Sequence, residues 1–258
     1  MTKALKALFW KEWRETRGRW LALLLAFHIP LAVGLLLALT QPANDPSAGV
    51  EAVAAHRVVV ALFYQTAYSF TVGLFLIAFF AAGSFAGELE RRQMYFTLDR
   101  PIRRAWLLAV KFGLGAAQSV IAVGASLVST VTVSYAYAGG DVAGASFSDA
   151  LAASARGATW LALMALLVFS ATFTLTVFFG KWWSGVVAGA LALVTLLYFM
   201  YFRIYGWILY DLVHPAVHSP PYLGAYAAWQ AAPLMVMALL AGLFYAAAWW
   251  LFERKELT

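Results

Sequence analysis

The run that decides the fold is WLALLLAFHIPLAVGLLLAL, residues 20 to 39. It contains no charged residue, and a helix of that length is about 30 Å long, the thickness of a bilayer's hydrocarbon core. Six basic residues, Lys3, Lys6, Lys11, Arg14, Arg17 and Arg19, precede it, as in a secretory signal. The uncharged stretch continues to residue 44, too long for the apolar segment of such a signal, so an uncleaved first membrane helix is expected.

Outward from that run, five more windows lack Asp, Glu, Lys and Arg: 58–87, 112–140, 157–180, 182–202 and 212–252. Each accommodates one spanning helix. Pro215, Pro220, Pro221 and Pro233 interrupt the first half of the last window, which places the sixth helix at 232–252. The spacing predicts six helices near 20–39, 58–84, 107–136, 158–179, 185–202 and 232–252. The runs are continuously apolar rather than alternating, which selects helices over a barrel. Composition agrees, because a soluble domain could not hide a 258-residue chain that is 64% hydrophobic and 12% charged. The absence of cysteine excludes disulfide frameworks, thiolate metal sites and cysteine nucleophiles. The net charge of +6 gathers in short clusters between apolar runs, where basic residues set membrane orientation rather than bind nucleic acid.

Six crossings return the chain to the side on which it began. Fifteen Lys and Arg then share one face: the six N-terminal ones, Arg91, Arg92, Arg100, Arg103, Arg104, Lys111, Lys181, Arg254 and Lys255. Arg57, Arg156 and Arg203 remain on the other. The positive-inside rule assigns the fifteen to the cytoplasm, giving a multi-pass protein of the inner (plasma) membrane with both termini cytoplasmic.

Residues 3–19 read as an amphipathic helix of their own, lying flat at the cytoplasmic interface. Leu5, Leu8, Phe9 and Trp13 form one side and Lys3, Lys6, Lys11, Arg14 and Arg17 the other, the cations against anionic lipid, while Glu12 blurs the apolar face. The simpler alternative is a basic flank that only fixes topology. On the outer side, 40–57 and the Gly/Ala/Ser-rich 137–157 are too short to fold as domains. Residues 203–231 are aromatic and broken by proline, with Tyr205, Trp207, Tyr210, Tyr222, Tyr226 and Trp229, which suits short helices re-entering the outer leaflet between helices five and six. No internal repeat is evident. The expectation is an all-α integral membrane protein with one transmembrane domain over 1–258: interfacial helix 3–19, six-helix bundle 20–252, cytoplasmic tail 253–258.

Charge is densest between helices two and three, from Gly87 to Lys111. Glu88 and Glu90 are followed at once by Arg91 and Arg92. Asp99-Arg100-Pro101 makes a turn before Arg103 and Arg104. Such a segment either docks a partner protein by complementary charge or is a solvated loop that holds topology. Its order, Glu88-x-Glu90, then Leu98-x-x-Pro101-Ile102-x-Arg104 and a following Lys111, resembles the segment after the second helix of ABC-2 type transporter permeases, the membrane-spanning subunits of bacterial ABC exporters. That family reads Glu-x-Glu-x-Gly-Thr, a Leu-x-x-Pro-(Ile/Val)-Ser-Arg turn and Gly-Lys. Arg92 and Gln93 stand here for Gly-Thr, Arg103 for Ser and Val110 for Gly. The resemblance extends to an N-terminal elbow containing Trp10-Lys11-Glu12, to six helices and to an outer re-entrant region.

The resemblance implies a permease that is no enzyme itself, working as a homodimer with two copies of a separate ABC ATP-binding subunit. ATP and its magnesium would sit on that partner, with no cofactor on this chain. The sequence holds no Gly-x-x-x-x-Gly-Lys-(Ser/Thr); Gly180-Lys181 continues into Trp182 and lacks the upstream glycine. Residues 88–106 would be the coupling helix seated in the ATPase, gripped through Glu88, Glu90, Arg91, Arg92, Asp99, Arg100, Pro101, Arg103 and Arg104. Lys181, Trp182 and Trp183 form a second candidate contact. Two other classes stay open: a secondary carrier or channel independent of ATP, and an anchor subunit of another complex.

Other residues invite weaker readings. His214 and His218 are four apart with Pro215 between them and no acidic partner, so with His28 and His56 they make a poor metal site. His28 reads as a neutral, hydrogen-bonded residue. The predicted helix centres lack ionisable residues, which argues against proton relays. Ser119, Ser126, Ser129, Ser134, Thr130 and Thr132 either line a path or join helices, the latter favoured. Gly185-x-x-x-Gly189 permits close helix approach, with a second copy of the chain as one candidate neighbour. The many aromatic residues read as packing and lipid-facing groups rather than a substrate box.

Overall fold

The computed structural model describes residues 2–40, 65, 68–90, 103–138, 147–183, 185–187, 189–191, 194 and 231–254. Among the described residues the helices with defined bounds are α1 (Thr2–Phe27), α2 (Ile29–Thr40), α3 (Leu74–Glu90, entered by a π turn at Ser69–Gly73), α4 (Arg104–Ala138), α5 (Phe147–Phe179) and α6 (Ala231–Arg254). Among the described residues no strand occurs. Four stretches are long and apolar enough to cross a membrane, Lys3–Leu36, Arg104–Ala136, Ala158–Phe179 and Leu234–Arg254, and Leu74–Phe85 is a shorter apolar helix. The predicted fifth span lies mostly outside the described residues, as does the 203–230 part of the re-entrant region.

No break separates the elbow from the first span; it falls at His28 instead. Pro30 lacks the N–H that would close the turn. The His28 N–H bonds to the Leu25 carbonyl at 3.0 Å, and the Leu24 carbonyl accepts from His28 Nδ1 at 2.7 Å. Gln65 Nε2 donates to the Phe27 carbonyl at 3.0 Å. Upstream, Leu8, Glu12, Thr16, Leu23 and Phe27 are all buried at helical spacing, so one side of α1 packs continuously on the bundle. Glu12 therefore does not blur this face but stands in its middle. The exposed side includes Phe9 and Trp10, so the division of faces differs from the one expected: Phe9 leaves the apolar side and Glu12 joins it.

Among the described residues the core lies among α1, α3, α4, α5 and α6, and its largest fully buried side chains are phenylalanines, Phe27, Phe85, Phe169, Phe173 and Phe252. The Phe85 ring centroid lies 5.3 Å from that of Phe173 and 5.4 Å from that of Phe252. Phe112 lies 5.6 Å from Phe169 and 4.5 Å from Tyr245. At Gly115 a Cβ would stand 2.5 Å from the Phe169 ring. Hydroxyls on α4 and α5 turn back onto their own helices: Ser119 to Gly115 O, Thr130 to Ser126 O, Ser170 to Leu166 O and Thr176 to Thr172 O, at 2.6–2.9 Å. The Thr174 hydroxyl lies 2.8 Å from Ser170 O and 2.7 Å from Phe244 O on α6. These groups join and satisfy helices, as hydroxyls do in an apolar medium.

The contacts also fix direction. Glu12 meets Lys111, and Phe85 meets Phe173 and Phe252. The start of α1, the end of α3, the start of α4 and the ends of α5 and α6 thus share one end of the bundle. At the other end Tyr135 of α4 packs edge-on against Phe147 of α5, 5.7 Å apart. After α5, Gly180 turns the chain with φ 70°, a conformation that favours glycine. The chain then runs back along α5: Gly185 lies against Thr176 and Gly189 against Thr172. The close approach that these two glycines permit is made here to α5 of the same chain. Gly185→Ala drives a methyl into Thr176, whereas Gly124→Ala meets nothing within 4 Å. The first is expected to cost about 1–3 kcal/mol and the second less than about 0.5 kcal/mol, read as midpoints of thermal unfolding in detergent.

Candidate functional site

Thirteen residues whose sequence is rich in charge, 91–103, connect α3 to α4. Of the predicted contact residues, Glu88 and Glu90 close the last turn of α3, Arg104 opens α4, and Arg103 is exposed. The Arg103 carbonyl starts α4 by accepting from Trp106 N at 2.9 Å and Leu107 N at 3.3 Å. Arg91, Arg92, Asp99, Arg100 and Pro101 lie outside the described residues. At the start of α4 the Arg104 guanidinium carries the sign of charge that opposes the helix dipole. Such a placement costs a few tenths of a kcal/mol to about 1 kcal/mol. At the end of α6 the rule is obeyed, with Arg254 in the last turn and its guanidinium 4.2 Å from the Trp250 ring centroid.

α1 lies across the roots of both helices. Lys111 Nζ is 2.7 Å from Glu12 Oε2, and both side chains are 2% exposed. Lys11 Nζ stands 3.6 Å from the other carboxylate oxygen. One turn further, Gln118 Nε2 donates to Thr16 Oγ1 at 3.2 Å, Thr16 Oγ1 donates to Glu12 O at 2.9 Å, and Trp20 Nε1 donates to Gln118 O at 3.1 Å. On the other side the Arg19 guanidinium donates to the Gly83 carbonyl of α3. The absence of a side chain at Gly83 makes room, since a Cβ there would stand 3.0 Å from the Arg19 guanidinium and 3.7 Å from Trp182 Nε1.

The second candidate contact joins the same place. Trp182 packs 6.1 Å from Phe79 of α3, ring to ring; Lys181, Trp182 and Trp183 are exposed at this end, Trp183 by 59%. Sequence reasoning missed Glu12, Arg19, Gly83 and Lys111. The available signal was a lone acid on the ridge of Leu8, Thr16 and Leu23, matched by a lysine just before the third uncharged run. His28 Nδ1 lies 2.7 Å from Leu24 O and Nε2 lies 3.2 Å from Ser129 Oγ, so both ring nitrogens have hydrogen-bond partners. His56, His214 and His218 lie outside the described residues, among which no His, Asp and Glu cluster suits a metal ion.

Nothing in this arrangement performs covalent chemistry; it ties three helix ends into one block. Lys111→Met strands a buried carboxylate and is expected to cost about 3–5 kcal/mol, with Glu12→Leu added to Lys111→Met recovering most of the loss of thermal stability.

Comparison with curated proteins and with solved structures returns no match. A family model described as ABC-2 family transporter protein matches residues 6–257, a span that contains Glu12, Arg19 and Lys111, the charged connection and almost all of the four long apolar stretches. This multi-pass membrane protein belongs to the ABC-2 family of transporter proteins.

Proposed function

We propose that the chain is the permease of an ATP-driven exporter, a homodimer whose charged 88–106 connection seats in a separate ATP-binding subunit, one per copy. What supports the reading is the density of charge in the sequence between two apolar helices, from Glu88 and Glu90 to Arg103 and Arg104, in a chain matched over residues 6–257 by the ABC-2 transporter family model. Charges grouped in this way can form hydrogen-bonded ion pairs in a complementary pocket of a partner. ATP binding would close the two ATPases, draw the two connections together and tilt the attached helices toward an outward-open state. The chain transmits this movement, and ATP with its magnesium stays on the partner.

Six crossings with cytoplasmic termini fit this reading. α5 ends, and α6 begins, at opposite ends of the bundle, and the chain after Gly180 already returns along α5. Fifteen of eighteen Lys and Arg then lie on the cytoplasmic side.

Glu88→Lys with Glu90→Lys is expected to abolish stimulation of the copurified ATPase while leaving the amount of inserted chain unchanged. Full stimulation by that variant refutes the coupling role. Because the chain lacks cysteine, single thiols report topology. Cysteines at Arg103 and Trp183 should react with an impermeant maleimide only in inside-out vesicles, and one at Asp141 only in right-side-out cells.

A further inference from the structure

We infer that α1 sets the position of the charged connection by gripping the helix that enters it and the helix that leaves it, with Glu12, Arg19 and Lys111 as positioning residues. The inference rests on the coupling role proposed above for that connection. Glu12 and Arg19 are one heptad apart on α1, so they project from nearly the same side, about 10 Å apart along the axis. One grips α4 two turns after its start, through Lys111; the other grips α3 two turns before its end, at Gly83 O.

The connection hangs between these two anchor points. Any shift of one root against the other must either break an anchor or carry α1 along. The Glu12–Lys111 anchor is the harder to break, because both groups are out of water and neither has solvent to fall back on. It is also directional, unlike the apolar contacts around it, so it sets a register as well as an attachment. At the Arg19 anchor Gly83 carries no side chain, and Trp182 lies beside it. A push received by the connection therefore moves α3, α4 and α1 as one body instead of being lost in relative sliding of the helices.

The absence of cysteine gives a direct test on the complex of this chain with its copurified ATPase in nanodiscs. Glu12→Cys with Lys111→Cys removes both charges together, leaving no stranded ion, and introduces the only two thiols of this subunit. ATP hydrolysis by the complex, relative to the ATPase subunit alone, is measured before bridging the thiols with a short reducible reagent, after bridging, and after reduction. The wild-type complex, treated identically, controls for the reagent. Stimulation is expected to fall about fivefold or more without the bridge, to return to within about twofold of wild type with it, and to fall again on reduction. Full stimulation without a bridge, or no recovery with one, overturns the inference. Failure of short reagents to join the two positions overturns the pairing itself. The Glu88→Lys, Glu90→Lys complex run in parallel separates the two ideas. If it loses stimulation while the double cysteine does not, only the α1 clamp falls; if it keeps stimulation, the coupling role falls and takes the clamp with it.

Discussion

A carboxylate and an ammonium held 2.7 Å apart out of water govern how the first helix meets the rest of the molecule. In a bilayer, helices gain little from burying apolar surface against one another, because lipid tails are equally apolar. Shape and a few polar contacts must decide which faces meet and in what register. For α1 and α4 those contacts form three rungs: Glu12 to Lys111, Thr16 and Trp20 to Gln118, and His28 to Ser129. Residue numbers rise together on both helices, so the pair runs parallel, and the rungs cover about 25 Å of length. A slip by one turn would break all three.

The same logic explains why the ion pair is retained although an apolar pair of similar size would cost less to bury. Leu or Met at positions 12 and 111 would pack without preferring one register over the next. The lysine finds a carboxylate at one position of α1, and the neighbouring Lys11 and Thr16 fix the orientation of that turn. The phenylalanine core plays the complementary part. Phe85, Phe112, Phe169, Phe173 and Phe252 interlock by shape, with Gly115 recessed to admit the Phe169 ring. The core gives cohesion and the polar rungs give alignment.

Legibility in the sequence followed the range of the interactions. Apolar runs located the third, fourth and sixth helices to within a few residues at most ends, because a span is a local property of composition. The start of α5 at Phe147, well before the expected 158, was missed because Asp149 and Arg156 interrupt the apolar run without breaking a helix. The continuity of α1 into the first span was missed for a related reason. The change from charged to uncharged residues at Arg19 and Trp20 marks a change of environment, whereas the helix yields only where Pro30 removes a donor. At the site, the charged connection was conspicuous because it is contiguous. The clamp was not, since Glu12 and Lys111 are separated by almost a hundred residues and each alone resembles an ordinary interfacial charge.

The Arg104 charge that opposes the dipole of α4 bears on the proposed clamp. A helix end bearing the wrong charge tends to fray, and a frayed end would absorb a push by unwinding instead of passing it on. Arg19 holds Gly83 and Lys111 holds Glu12 about two turns inside the respective ends, so fraying is confined to the last turns and the helices beyond the anchors stay rigid. On the proposed coupling role, the load path starts at these anchors. Charged ends on a rigid base are what a docking element needs when it must both recognise a neighbour and move with it.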